Sequence, residues 1–246
     1  MHELSRPVFF EDEGFVLGKD LLGEDSLRVF YLTRKLGRWE AVAKKARKSL
    51  RRFGGGLEPF CILEVACRAS KGQADTFFLE RSKPRVFFDG VLASKHSAMA
   101  GFLANDLLLN SQLGPGEALP LYLSYHKLLA ALDVGGNPWS ALLSFFRPYF
   151  SLIGIAPKLK RCVRCDTPLK DHPMVGLSVS EAGGVCPACV ARQERLSGYS
   201  LPHCPITGDP HALVRFYLEH WQYRFSRVLL SYQVYREVLT TSPQSP

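Results

Sequence analysis

Leu27-Arg-Val-Phe-Tyr-Leu-Thr33, followed after a glycine-containing turn by Trp39-Glu-Ala-Val-Ala43, decides the fold of the first third of the chain. Both runs are rich in β-branched and aromatic residues and are bounded by turn residues, which marks strands. In the second run, Trp39, Ala41 and Ala43 alternate with Arg38, Glu40 and Lys44, the period of a strand with one face buried. Working outward, Gly14 to Lys19, Phe60 to Cys67 and Thr76 to Leu79 read the same way. Five short strands of this kind predict a small barrel between about residues 14 and 80.

The turn after the first run opens a concentrated basic stretch. Between Arg34 and Arg52 stand nine cations (Arg34, Lys35, Arg38, Lys44, Lys45, Arg47, Lys48, Arg51 and Arg52) against one acid, Glu40. The chain has 31 Lys and Arg and 23 Asp and Glu, so the remainder carries 22 of each and the whole net charge of +8 comes from this stretch. A patch that focused attracts a polyanion, and nucleic acid is the first candidate. Two local structures are open. The stretch is either a barrel strand followed by a basic loop from Lys45 to Arg52 that ends in a flexible Gly54-Gly55-Gly56, or a helix with Ala43, Ala46, Leu50 and Phe53 on one face and cations on the others. A cationic helix would suit a membrane surface or a calmodulin-like partner. A solvated charge run that binds nothing is the plain alternative, although nine neighbouring cations repel one another unless an anion is present.

At 246 residues and 46% hydrophobic, the chain can bury one large core or two smaller ones. No membrane-spanning helix is expected: the longest apolar stretches are interrupted by Asn105, Asp106, Arg147 and Pro148, short of the roughly 20 residues a bilayer requires. The first residues are polar and acidic, unlike a signal peptide, so a cytoplasmic location is expected.

Four of the seven cysteines form two pairs, Cys162-Val-Arg-Cys165 and Cys186-Pro-Ala-Cys189. Each C-x-x-C can bend as a knuckle that offers two thiolates, and two knuckles complete a tetrahedral site. Zinc is the default ion, with iron and a pair of redox disulfides as rivals. Four thiolates leave no open position for water, so the predicted role is structural. Cys61 and Cys67 read as small buried hydrophobes. Cys204, beside His203, is a remote candidate for a spare ligand.

From Ser94 to Ile155 apolar residues recur at helical spacing, as in Phe102, Leu103 and Leu107 and again in Leu121, Tyr125, Leu128, Leu129 and Leu132. This predicts helix packed on helix, with breaks at Gly114-Pro115-Gly116 and Gly135-Gly136-Asn137-Pro138. The pattern resumes from His211 to Leu239, so the metal loop is predicted to interrupt a helical domain.

Enzymatic readings find no support. Gly14 to Lys19 carries Gly-x-x-x-Gly-Lys, one residue short of a phosphate loop and followed by Asp20 where Ser or Thr would hold magnesium. His96, His126, His172, His203, His211 and His220 are scattered, with neither a zinc-binding pair nor a nucleophile beside them. A nuclease would need clustered carboxylates. Here Glu11-Asp12-Glu13 falls in an expected flexible start and Glu24-Asp25 at a turn.

Gly14-Phe-Val-Leu17, Leu22-Gly-Glu-Asp-Ser26, Val29-Phe-Tyr-Leu-Thr33, Leu36-Gly37, Ala43-Lys-Lys-Ala-Arg-Lys48 and Leu57-Glu-Pro-Phe60 resemble the N-terminal OB-fold of the RecO family of bacterial recombination mediators. Leu142-Leu143, Gly154-Ile-Ala-Pro-Lys-Leu159 running into the first cysteine pair, and Gly183-Gly-Val-Cys186 resemble its middle and metal loop. One departure is Lys45, where the family usually has glycine; another is that some members lack the cysteines.

The resemblance implies an α+β multidomain protein: a five-stranded OB-fold barrel over residues 1–82, then an all-α domain over 83–246 with a four-cysteine zinc-binding insertion at about 158–192. It implies a DNA repair and recombination mediator, not an enzyme, that binds single- and double-stranded DNA and anneals complementary strands. With RecR, such a protein helps load RecA onto DNA coated by SSB, whose C-terminal tail it contacts through the helical domain. The expected location is then the cytoplasm, at the nucleoid during repair. The nine cations are the candidate DNA-binding residues, and Trp39, Phe30 and Tyr31 are candidate base stackers or else barrel core. A zinc-containing OB-fold protein that binds RNA is the alternative, because phosphate contacts do not distinguish the sugars.

Overall fold

In a computed structural model of the chain, the residues described are 9–54, 56–70, 73–111, 114–172, 174–197, 203–204 and 209–241. The alternating runs become five strands: β1 (Phe9–Leu22), β2 (Ser26–Thr33), β3 (Gly37–Ala43), β4 (Cys61–Ser70) and β5 (Gln73–Phe87). They close into a barrel in the order β1-β2-β3-β5-β4. All pairs are antiparallel except β3 with β5, which meet in parallel at Val42 and Phe78. This is the expected OB-fold barrel.

Inward residues fill it: Val16, Val29, Tyr31, Ala41, Ala43, Leu63, Val65 and Leu79 are buried, and Phe10, Trp39 and Phe77, edge to face with one another, pack against them. Cys61 and Cys67 are fully buried in this core, as expected. Burial pushes the Cys61 thiol up to about 11 and Cys67 higher still, so neither is a ready nucleophile. The phosphate-loop pattern lies within β1, where Lys19 pairs with Glu58 at 2.8 Å.

The basic connection combines the two structures considered for it. β3 ends at Ala43, a single 3-10 turn covers Ala46–Lys48, and a one-turn helix, α1 (Leu50–Phe53), follows. Ala46 and Phe53 lie against the barrel core as the helical pattern predicts, but the chain does not form one continuous cationic helix. Gly56 is not flexible: it is buried where a Cβ would stand 2.1 Å from the Ser82 carbonyl oxygen. Gly55 lies outside the described residues.

Glu11, Asp12 and Glu13 do not form a flexible start. They sit in β1, paired with Ala66, Val65 and Glu64 of β4. Asp12 is buried and accepts from the backbone N–H groups of Glu13 (2.8 Å) and Lys35 (2.9 Å), closing the β2–β3 turn onto β1. The Glu13 carboxylate accepts from the Tyr122 hydroxyl.

The helical pattern resolves into α2 (Lys95–Leu109), α3 (Pro115–Asp133) and α4 (Pro138–Leu152), broken at the two glycine-containing segments. Ser94 caps α2, and Asn137 followed by Pro138 starts α4, side-chain oxygens supplying what the first N–H groups lack. Of these, α2 and α3 also cover the barrel: Phe15 of β1 is fully buried with its ring 5.0 Å from Tyr122 and 4.9 Å from Tyr125 of α3. The chain accordingly divides by packing at 136/137, with α2 and α3 in the unit of the barrel. The sequence boundary at 82/83 falls within β5, which runs on to Phe87.

The second unit holds α4, the metal loop with β6 (Val175–Ser178), β7 (Gly183–Val185), α5 (Pro187–Ser197) and β8 (His203–Cys204), and then α6 (Pro210–Phe225) and α7 (Leu230–Thr241). Phe146 and Phe150 of α4 pack on Tyr217 of α6, and the Trp221 indole N–H donates to the Tyr149 hydroxyl at 3.2 Å. The metal loop thus interrupts a helical unit. Among the described residues no helix is long and apolar enough to cross a membrane.

Candidate nucleic-acid interface and metal centre

Eight of the nine cations have described side chains; that of Arg47 lies outside them. Arg34, Lys35 and Arg38 stand at the β2–β3 turn, while Lys44, Lys45, Lys48, Arg51 and Arg52 follow β3. They are not equivalent. Arg52 is spent on its own loop, donating to the Lys44 carbonyl at 2.6 Å and the Ser49 hydroxyl at 3.1 Å. Lys48 pairs with Asp25 at 2.6 Å, and Lys44 lies 3.8 Å above the centre of the Phe78 ring. The Arg38 guanidinium stands 5.8 Å over Phe30. Arg34, Lys45 and Arg51 are exposed, and their side chains make no hydrogen bond or ion pair with a described residue. Exposed ion pairs contribute little, so Lys48 can be drawn to a phosphate at small cost.

Lys45 occupies the left-handed region, φ 53° and ψ 35°, with its N–H 3.3 Å from the Ser26 hydroxyl. The departure from glycine at this position therefore carries backbone strain. It also adds an exposed cation at the tip of the connection.

Of the three candidate stackers, two are core. Tyr31 is fully buried, and Trp39 stacks on it at 5.3 Å with its indole N–H donating to the Thr33 hydroxyl at 3.0 Å. Phe30, half-buried, is on the outer face. Phe78, not singled out by the sequence reading, also faces out, because its neighbours Phe77 and Leu79 point into the core.

The metal loop brings its four cysteines together: the Sγ atoms of Cys162, Cys165, Cys186 and Cys189 all lie within 4.8 Å of one another. A tetrahedral ion with ligands at about 2.3 Å needs sulfurs about 3.8 Å apart, so the set fits four-coordinate zinc with small adjustments. The Cys186 N–H donates to Cys162 Sγ at 3.3 Å, tying the two knuckles together. The unmetallated thiols are in conflict. The Thr167 hydroxyl first, and the neighbouring thiols after it, hold Cys165 down at about 6, while burial raises Cys186 and lifts Cys189 to about 12. A divalent cation would let all four ionise.

The order of the motifs now has a reason. Lys158 bonds both ways to the hairpin, its N–H to the Ala182 carbonyl at 2.8 Å and its carbonyl to the Gly184 N–H at 2.9 Å. Side chains are excluded there: a Cβ on Gly183 would stand 2.5 Å from the Lys158 oxygen, and one on Gly184 2.5 Å from Leu169. Two supports were not singled out in the sequence. Arg164, inside the first knuckle, pairs with Glu181 at 2.7 Å and reaches the Cys189 carbonyl at 3.5 Å. His220 of α6 is buried with one ring nitrogen 3.2 Å from the Val179 carbonyl and the other 3.0 Å from that of Ile155, tying hairpin to helix. The side chains of Cys204 and His203 lie outside the described residues.

Two family models match this chain: the recombination protein O N-terminal domain over residues 8–84 and its C-terminal domain over 96–206. The DNA repair protein RecO of Anaeromyxobacter sp. strain K is 35% identical over 182 residues, covering 72% of this chain and 68% of the relative. That of Cutibacterium acnes is 30% identical over 190 residues, covering 73% and 74%, and that of Syntrophus aciditrophicus is 28% identical over 178 residues. The barrel, the cysteine loop and the relatives agree, and this chain belongs to the RecO family of recombination proteins.

Proposed function

We propose that this protein is a DNA repair and recombination mediator that acts by binding DNA and not by catalysis. The reading rests chiefly on one observation: the stretch that carries the whole net charge lies along β3 of a closed OB barrel and on the connections at that strand's two ends, with most of its described cations exposed. Such a surface binds phosphate backbones with little regard to sequence. Two strands that repel each other can both be held by it, which is the physical basis for annealing complementary strands. The proposed work is done in the cytoplasm at the nucleoid, on single- and double-stranded DNA, and with RecR leads to loading of RecA on SSB-coated DNA.

The acidic, amphipathic tail of SSB needs apolar surface beside cations. In the second unit Tyr223, Phe225, Val228 and Leu230 are exposed in the same short segment as Arg224 and Arg227, which supports that unit as its site. Zinc at Cys162, Cys165, Cys186 and Cys189 is proposed to be structural, since four thiolates leave no position for a reacting water.

Replacing Lys44, Lys45, Arg47 and Lys48 with Ala tests the reading. The log–log salt slope of single-strand binding should flatten by about 2 to 3, at roughly 0.7 for each phosphate no longer neutralised, and annealing should disappear. A folded variant with undiminished affinity and annealing would make the run a solvated face. Equal binding of RNA and DNA of matched sequence would favour the RNA reading.

A further inference from the structure

Phe78 lies at the centre of a row that crosses the outside of the barrel. Register pairs Arg28 of β2 with Val42 of β3, Val42 with Phe78 of β5, and Phe78 with Arg68 of β4. The row therefore runs cation, aliphatic, aromatic, cation across four strands spaced about 4.8 Å apart. Both arginines are exposed and held by surface acids, Arg28 by Glu40 at 3.9 Å and Arg68 by Glu80 at 3.0 Å. Above the aromatic member stands Lys44 of the basic stretch, its ammonium 3.8 Å from the ring centre.

A half-buried phenylalanine on a sheet's outer face has a strand-packing use on one side only. The free π-face of Phe78 is occupied by a cation that is itself exposed and has no carboxylate partner among the described residues. An exposed cation–π contact contributes roughly 0.5–1 kcal/mol, whereas a nucleobase on the same face contributes roughly 1–3 kcal/mol and brings a phosphate that the displaced ammonium can meet. We propose that Phe78 is a base-stacking position for single-stranded nucleic acid, capped by Lys44 in the free protein and uncovered when Lys44 moves to the adjacent phosphate. Bases paired in a duplex present only edges, so this position discriminates single strands from duplexes. The inference rests on the proposed function in taking the basic stretch as the nucleic-acid path, and it adds the recognition of the base itself.

The experiment compares the full-length protein with Phe78→Leu and Phe78→Trp, measuring fluorescence anisotropy on three probes of equal length: a single strand, an abasic single strand and a duplex. Leucine keeps the half-buried apolar contact and removes the π-face. The wild type should bind the base-containing strand more tightly than the abasic one. Phe78→Leu should lose roughly 5- to 150-fold on the base-containing strand alone, with its salt slope, abasic binding and duplex binding unchanged. Phe78→Trp should keep the preference. Equal losses on all three probes would make Phe78 a support for Lys44 and overturn the proposal, as would unchanged binding of the base-containing strand. Failure of the basic stretch itself reads differently, as an unchanged salt slope in the quadruple alanine variant.

Discussion

Lys45 combines a cost in stability with a gain in charge, and one substitution separates them. Its φ of 53° places a β-carbon where L-residues pay roughly 1–2 kcal/mol, a penalty glycine avoids. Glycine returns about 0.4–1 kcal/mol of this through the greater entropy of the unfolded chain. Lys45→Gly should therefore stabilise the barrel unit by about 0.5–1 kcal/mol, raising its transition by about 2–4 °C. The same change removes an exposed cation, so the single-strand salt slope should fall by about 0.7. Lys45→Ala is the control: it loses the same charge and keeps the strain, so affinity should fall equally without a gain in stability. Thermal unfolding followed by near-ultraviolet circular dichroism reports the first effect, and anisotropy titrations between about 50 and 200 mM salt report the second. A Lys45→Gly protein that unfolds at lower temperature would refute the strain argument, and an unchanged slope would remove Lys45 from the phosphate path.

Purified protein should contain one zinc per chain, and Cys162→Ser with Cys186→Ser should lose the ion and loosen the second unit; metal analysis without stoichiometric metal would refute the ligand assignment. The Arg164 guanidinium holds the Glu181 carboxyl below its ordinary 4.5, so the pair's contribution is complete above that pH and is lost as the pH falls through the lowered folded value. Glu181→Gln should flatten this acid-side loss in denaturant titrations at pH 7 and pH 4, by no more than about 1 kcal/mol for so exposed a pair. Gly183→Ala should destabilise the metal hairpin, because its Cβ meets backbone at 2.5 Å, and zinc release to a chelator should quicken. The protein should bind an SSB-tail peptide and hydrolyse no ATP; a barrel fragment of residues 1–136 that bound the peptide as well as the full chain would move that site off the second unit.

Strand alternation in Leu27 to Thr33 and Trp39 to Ala43, and the two C-x-x-C pairs, were legible in the sequence because each is a local pattern: a strand's side chains repeat every two residues, and a knuckle's ligands lie three apart. The charge of the basic stretch was legible for the same reason. Its set of partners was not. Which cations are free depends on Asp25, Phe78 and the Lys44 carbonyl, brought near by barrel closure and by the single 3-10 turn. Tyr31 and Phe30 are neighbours of equal aromatic character, yet one faces the core and the other the outside, a matter of register that composition does not carry. Glu11 to Glu13 look like a solvated start until β4 and the Lys35 N–H reach them. Lys45 stands out in the sequence as a departure from glycine, but its left-handed backbone is set by the turn between β3 and α1. Arg164, Glu181 and His220 have no signature at all, since their partners lie between 17 and 65 residues away: Arg164 meets Glu181 only when the loop closes on itself, and His220 meets its carbonyls only when α6 packs in place. The sequence by itself thus determined the main elements, the two cysteine pairs that cluster and the position of the net charge. The tertiary structure decided which side chains face outward and which remain unpaired, because contacts distant along the chain are set by closure and packing and not by any local period.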